Sequence, residues 1–245
     1  MKRLAVILMC IAPLPPALAD TGYYLVSTYD VENQASIDFK YWNAHYRGRT
    51  TAAPELGVGY GVTSRWYTEV YAKWVKLNGA AGHWVQTDWQ NDFLLTQGQY
   101  DFDLALHTRL GRARDSDAGY SVEWGPVLQT EIGRTQFNAN LFFQRDLRVT
   151  QTGTSRIDTS TTLTYQLQVK HNWLPWLQPG LQAFGEVGTW NDWLPYRQQS
   201  HRAGPMVYGH RDIGRQELKY EFAYLLGRNS ARAAKSVTLR VQYLF

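Results

Sequence analysis

Val237-Thr238-Leu239-Arg240-Val241-Gln242-Tyr243-Leu244-Phe245 decides the fold. Val237, Leu239, Val241, Tyr243 and Phe245 are apolar, and Thr238, Arg240 and Gln242 stand between them. Side chains alternate faces along a strand, so this pattern predicts a strand with one greasy and one wet face. The same period recurs upstream. Ile37, Phe39 and Tyr41 alternate with Asp38 and Lys40; Leu56, Val58, Tyr60 and Val62 alternate with Glu55, Gly57 and Gly59. Tyr100, Phe102, Leu104 and Leu106 oppose Asp101, Asp103 and His107, and Phe137, Ala139, Leu141 and Phe143 oppose Asn138, Asn140 and Gln144. Leu163 to Val169 and Leu218 to Tyr224 repeat the rule.

A soluble β-sandwich shares that period, so other features must choose. Many segments run about 10 to 12 residues, as tilted membrane strands require, against about 5 or 6 for soluble strands. Connections alternate short (63–65, 97–99, 131–134, 172–179, 209–214) with long and polar (47–51, 76–82, 111–118, 147–160, 191–200, 227–234). Aromatic residues gather near strand ends, as at Trp66 and Trp74, Trp84 and Trp89, and Trp173 and Trp176, where interfacial girdles belong. Trp193-Leu194-Pro195 repeats the Trp173-Leu174-Pro175 pattern and reads as a second interfacial anchor. The reading is all-β: a closed antiparallel transmembrane β-barrel. It has twelve strands near 35–46, 54–62, 66–76, 83–96, 99–110, 119–130, 135–146, 161–171, 180–190, 201–209, 215–226 and 235–245, with ten or fourteen as alternatives. Asn91 falls on the lipid side of its strand and Pro126 interrupts another; bulges at either place are the expected remedy.

The leader supports export. Lys2 and Arg3 precede an apolar run from Leu4 to Ile11 that is too short to span a bilayer, and Ala17-Leu18-Ala19 is a cleavage site. Residues 1–19 are thus the expected signal peptide, 20–34 an N-terminal lead or plug, and 35–245 the barrel. Tyr23 to Val26 fits no hairpin, and either extends the first strand or enters the lumen. Cys10, the single cysteine, lies in the leader, which excludes disulfides and thiolate metal sites from the mature chain. The formal charge of +4 falls to +2 without Lys2 and Arg3, which gives no cause to expect a nucleic-acid partner.

The alternating segment that closes on Phe245 resembles the C-terminal signal of bacterial outer-membrane barrels. That resemblance implies the cell outer membrane as destination, with membrane lipid, lipopolysaccharide and the barrel assembly machinery as partners. Glu55-Leu56-Gly57-Val58-Gly59-Tyr60-Gly61-Val62-Thr63, followed by Arg65-Trp66, also resembles a strand–turn–strand of the transporter family named after the meta-pathway of phenol degradation. This second resemblance covers about 25 residues and implies solute passage.

The polar faces line the expected lumen: Asp38, Glu55, Glu69, Asp88, Asp92, Asp101, Asp103, Glu123, Glu186 and Glu221, with Lys40, Lys73, Arg109, Lys170, Lys219, Arg240 and the titratable His107. Ten acids against six fixed cations in a low-dielectric tube predict passage of a small solute with a mild cation preference. The alternative is a closed, salt-bridged barrel that works through its outer loops, where Arg148, Thr150, Gln151 and Arg156 offer polar contacts. Catalysis has little to stand on. Ser200-His201 is the one adjacent nucleophile–base pair, His83 and His107 have no serine two residues away, and Asp115 and Asp117 read as a solvated turn. The six histidines are scattered, so no metal or cofactor is expected.

Overall fold

The computed structural model describes residues 24–28, 32–46, 48–151, 155–229 and 232–245. The expected signal peptide and its cleavage site lie outside the described residues. Twelve strands form the wall: β1 (Ala35–Tyr46), β2 (Arg49–Thr63), β3 (Trp66–Leu77), β4 (His83–Leu94), β5 (Phe102–Ala113), β6 (Tyr120–Ile132), β7 (Thr135–Leu147), β8 (Thr162–His171), β9 (Gln178–Thr189), β10 (Ser200–Ile213), β11 (Gln216–Asn229) and β12 (Arg232–Leu244). Each pairs antiparallel with its neighbours in sequence, and β1 pairs with β12 from Ser36↔Leu244 to His45↔Lys235. Ala35 and Phe245 exchange both backbone hydrogen bonds, so the ring closes at its last residue. Hydrocarbon cannot hydrogen-bond a free strand edge, and closure leaves none.

The faces are inverted relative to a soluble domain. Phe39, Val58 and Leu141 are 38%, 62% and 39% exposed, while Asp38, Glu69 and Asp88 are at most 1% exposed. Apolar side chains therefore form the outer belt that lipid covers, and charges point inward. This is the arrangement of an outer-membrane β-barrel.

Loop lengths depart from expectation at three places. The expected loops 47–51 and 227–234 are mostly strand, because β1 pairs with β2 as far as Tyr46↔Arg49 and β11 with β12 as far as Asn229↔Arg232. At the opposite end, His210 and Arg211 belong to β10 rather than to a turn, and the reversal falls at Gly214–Arg215. The long 147–160 connection carries a small ribbon, Val149–Gln151 against Ser155–Ile157.

The two suspect strands are accommodated in different ways. Opposite Pro126 the β6–β7 ladder skips from Trp124↔Phe143 to Val127↔Asn140 without a shift, so no residue is inserted. Pro54 and Pro205 interrupt β2–β3 and β10–β11 in the same manner. A proline lacks the N–H that one ladder position needs, and omitting that bond costs less than re-registering a strand whose faces must stay inverted. The bulge in β4 lies between Lys73/Trp74 and Gln86/Trp84, away from Asn91. Asn91 does face outward, where the Trp66 indole N–H donates to its Oδ1 at 3.1 Å and the stacked Trp66 and Phe93 rings lie beside it.

Candidate functional site

The glycines of the β2 hairpin begin the site. A Cβ at Gly59 would stand 2.1 Å from the Tyr67 hydroxyl, and one at Gly57 would stand 2.3 Å from Glu69 Oε1. These bare positions let Tyr67, Glu69 and Tyr71 of β3 lie across β2 inside the barrel, each 1% exposed.

From there a charged arc runs over β1 to β6. Arg240 of β12 grips Asp38 Oδ2 through Nε and Nη2 at 2.9 and 2.6 Å. Lys40 Nζ lies 3.5 Å from Asp38 and 3.1 Å from Glu69, above the Tyr71 ring at 4.4 Å. Lys73 pairs with Asp88 at 3.1 Å, and Gln86 donates to the same carboxylate at 2.6 Å. Arg109 pairs with Glu123 at 2.9 Å; His107 bridges Asp92 at 2.6 Å and Glu123 at 3.3 Å. Every partner except Arg240, whose side chain is 13% exposed, is nearly sealed from water. Charges in such a place persist because each is matched; deleting one member leaves its partner stranded, at a cost of about 3–5 kcal/mol.

The wall from β6 to β9 is lined mainly by amides instead, with buried Lys170 of β8 among them. Asn138 donates to Gln129 at 3.0 Å and accepts from Gln136 at 2.8 Å; Asn140 donates to Gln166 at 2.9 Å. Gln168 and Gln182 both donate to Glu221, at 3.1 and 2.6 Å.

Between the two arcs lies the chain's own segment 24–28. The Tyr24 hydroxyl donates to Glu55 at 2.8 Å, and Lys40 Nζ sits 4.7 Å from its ring centre. The Leu25 carbonyl accepts from Arg240 at 3.2 Å. The Val26 N–H donates to Gln166 Oε1 at 3.0 Å and its carbonyl accepts from Asn140 at 2.7 Å. The Val26 side chain enters a pocket of inward-facing Leu94, Ala105, Val127 and Phe142. A second apolar cluster, built on Trp42, Phe184, Met206 and Leu225, narrows the other half of the lumen. A cavity of about 160 Å³ remains between Leu25, Ser27 and Thr28 and the wall at Lys170, Tyr208 and Glu221.

Of the acids and bases expected inside, Asp38, Lys40, Glu55, Glu69, Lys73, Asp88, Asp92, His107, Arg109, Glu123 and Lys170 are buried there. Arg240, Lys219 and Glu221 line the cavity, with Lys219 bridging Glu217 at 3.2 Å. Glu186 is half-buried near the end of β9, beside the bulge at Leu163/Thr164. Asp101 does not belong to this site, and Asp103, across β5–β6 from Gln129, stands at its rim. Asp101 is exposed in the bend before β5, and Asp103 accepts the Gly98 N–H at 3.0 Å, as a turn residue does. Arg202 was not among the candidates, yet it is 2% exposed and donates to Ser236 at 3.0 Å. The amides were also missed as recognition groups, although they occupy every second position of their strands.

The nucleophile–base pair dissolves for a geometric reason. Ser200 and His201 are successive residues of one strand and so point to opposite faces. The Ser200 hydroxyl donates to Asn229 at 3.3 Å, whereas His201 Nδ1 meets the Tyr165 hydroxyl at 2.9 Å. Asp115 caps a short 3₁₀ turn by accepting the Asp117 N–H at 3.0 Å.

No protein-family model matches the chain, and no curated protein matches it, so the resemblance to the meta-pathway family stands on the β2–β3 hairpin alone. Solved structures do match. The NanC porin aligns with a TM-score of 0.56 at 10% identity, covering 84% of this chain and 98% of its own. The β domain of the Bordetella autotransporter BrkA aligns at 0.54 and 14% identity, over 87% and 99%. The translocator domain of NalP from Neisseria meningitidis aligns at 0.55 and 10% identity, over 87% and 88%. At these identities the likeness is one of fold. The fold is a closed twelve-stranded antiparallel outer-membrane barrel, shared with a porin and with autotransporter domains alike.

Proposed function

We propose that the protein is an outer-membrane channel for small polar solutes, closed in this conformation by residues 24–28. The observation that carries the reading is the kind of stopper present. A polar inner wall encloses a segment that joins no strand ladder and is held chiefly by side-chain contacts from the wall. Such a stopper can leave without breaking the barrel. The shared fold of the NanC and KdgM porins supports a channel. A mild cation preference loses its basis in the inner wall. Asp101 lies outside it, Asp103 is spent on the Gly98 turn at its rim, Arg202 is added, and Asp38, Glu69, Asp88 and Glu123 are ion-paired.

Planar-bilayer recording tests the proposal. The full chain is expected to conduct weakly, and a variant lacking 24–28 to conduct several-fold more. A second reading, a permanently closed structural barrel, is favoured by the ion pairs of the charged arc. It wins if the folded deletion variant stays silent in every salt.

A further inference from the structure

We infer that the lumen is a binding site for a short peptide, which residues 24–26 occupy in place of the solute. The inference rests on the channel reading and names its solute class. Gln166 and Asn140 accept the N–H and donate to the carbonyl of one and the same residue, Val26, at 3.0 and 2.7 Å. Their mutual hydrogen bond, 2.9 Å, holds the two amides at that spacing. Arg240 takes the preceding carbonyl. Together these groups offer a peptide main chain the donor and acceptor a neighbouring strand would offer, but from side chains. Main-chain recognition is indifferent to sequence, so other peptides fit the same clamp.

Selectivity comes from two side-chain positions. The apolar pocket closed by Phe142 takes a small aliphatic group, and two residues earlier the Glu55 carboxylate takes a phenol hydroxyl. The preferred occupant is therefore a short peptide with an aromatic residue two places before a Val-sized one. Because the occupant is part of the chain, an external peptide must displace it and binds the full chain more weakly than the emptied barrel.

Fluorescence anisotropy with labelled Tyr-Leu-Val-Ser-Thr amide, on detergent-purified protein, tests this. The variant lacking 24–28, which keeps all twelve strands, is expected to bind at least about ten-fold more tightly than the full chain. Adding Asn140→Ala is expected to weaken that binding about five-fold, as the loss of one buried hydrogen bond does. An ester replacing the Val amide, which removes only the N–H, is expected to weaken it similarly. Should the deletion not fold, full-length Val26→Asp, which places a charge in the apolar pocket and expels the segment, is read in the same way. Equal binding to the emptied and full-length barrels, or none to either, overturns the inference. Raised conductance without peptide binding leaves the channel standing and removes the peptide; binding without conductance does the reverse.

Discussion

Two stretches of inner wall handle buried polarity differently. On β1 to β6, fixed charges of both signs satisfy one another, from Arg240–Asp38 through Lys40–Glu69 to Arg109–Glu123. On β7 to β9, neutral amides share their hydrogen bonds among the wall, Glu221 and the backbone of Val26. The contrast is energetic. A buried charge that loses its partner is costly, so the charged arc is committed to itself. A neutral amide can change partners for about 1 kcal/mol, so the amide arc can bind something and release it. The first behaves as frame, the second as contact surface.

The largest effect should come from breaking the frame. Glu123→Ala strands Arg109 inside the barrel and leaves His107 with Asp92 alone, and is expected to cost about 3–5 kcal/mol, read as a lowered urea midpoint for unfolding from lipid vesicles. Gly59→Val tests the spacing that lets the arc form. Its side chain would collide with Tyr67, and a loss of about 1–3 kcal/mol is expected on the same scale. On the amide side, Asn138→Ala removes bonds to Gln129 and Gln136 and is expected to cost only about 1 kcal/mol on the same scale. A loss as large as that of Glu123→Ala would erase the distinction between the arcs. The smallest effect concerns salt. Because the frame's pairs are buried, raising ionic strength from about 0.1 to 1 M is expected to shift the midpoint by less than about 0.5 kcal/mol; strong salt dependence would mean that water reaches the arc.

Much of this was legible in the residues. Which side chains face lipid follows from period two alone, since a strand has no other way to place Phe39 and Asp38 than on opposite faces. Closure follows because hydrocarbon tolerates no unpaired edge. The charged side chains of the inner wall were readable as far as the alternation was clean. It misled at Asp101 and Asp103, which sit where strand gives way to turn. Pro126 reads as a break, although it, like Pro54 and Pro205, omits a ladder position without moving the register.

The sequence by itself determined the barrel, its inverted faces and the identity of most charged groups inside, because those depend on neighbours one or two residues apart. Only the tertiary structure decided which charge meets which, that glycines at 57 and 59 admit two tyrosines, and that Tyr24 to Val26 ends among Glu55, Asn140 and Gln166. Those contacts join residues 31 to 140 positions apart. No local period encodes such distances; they arise only when the ring closes and brings its far walls within reach of one another.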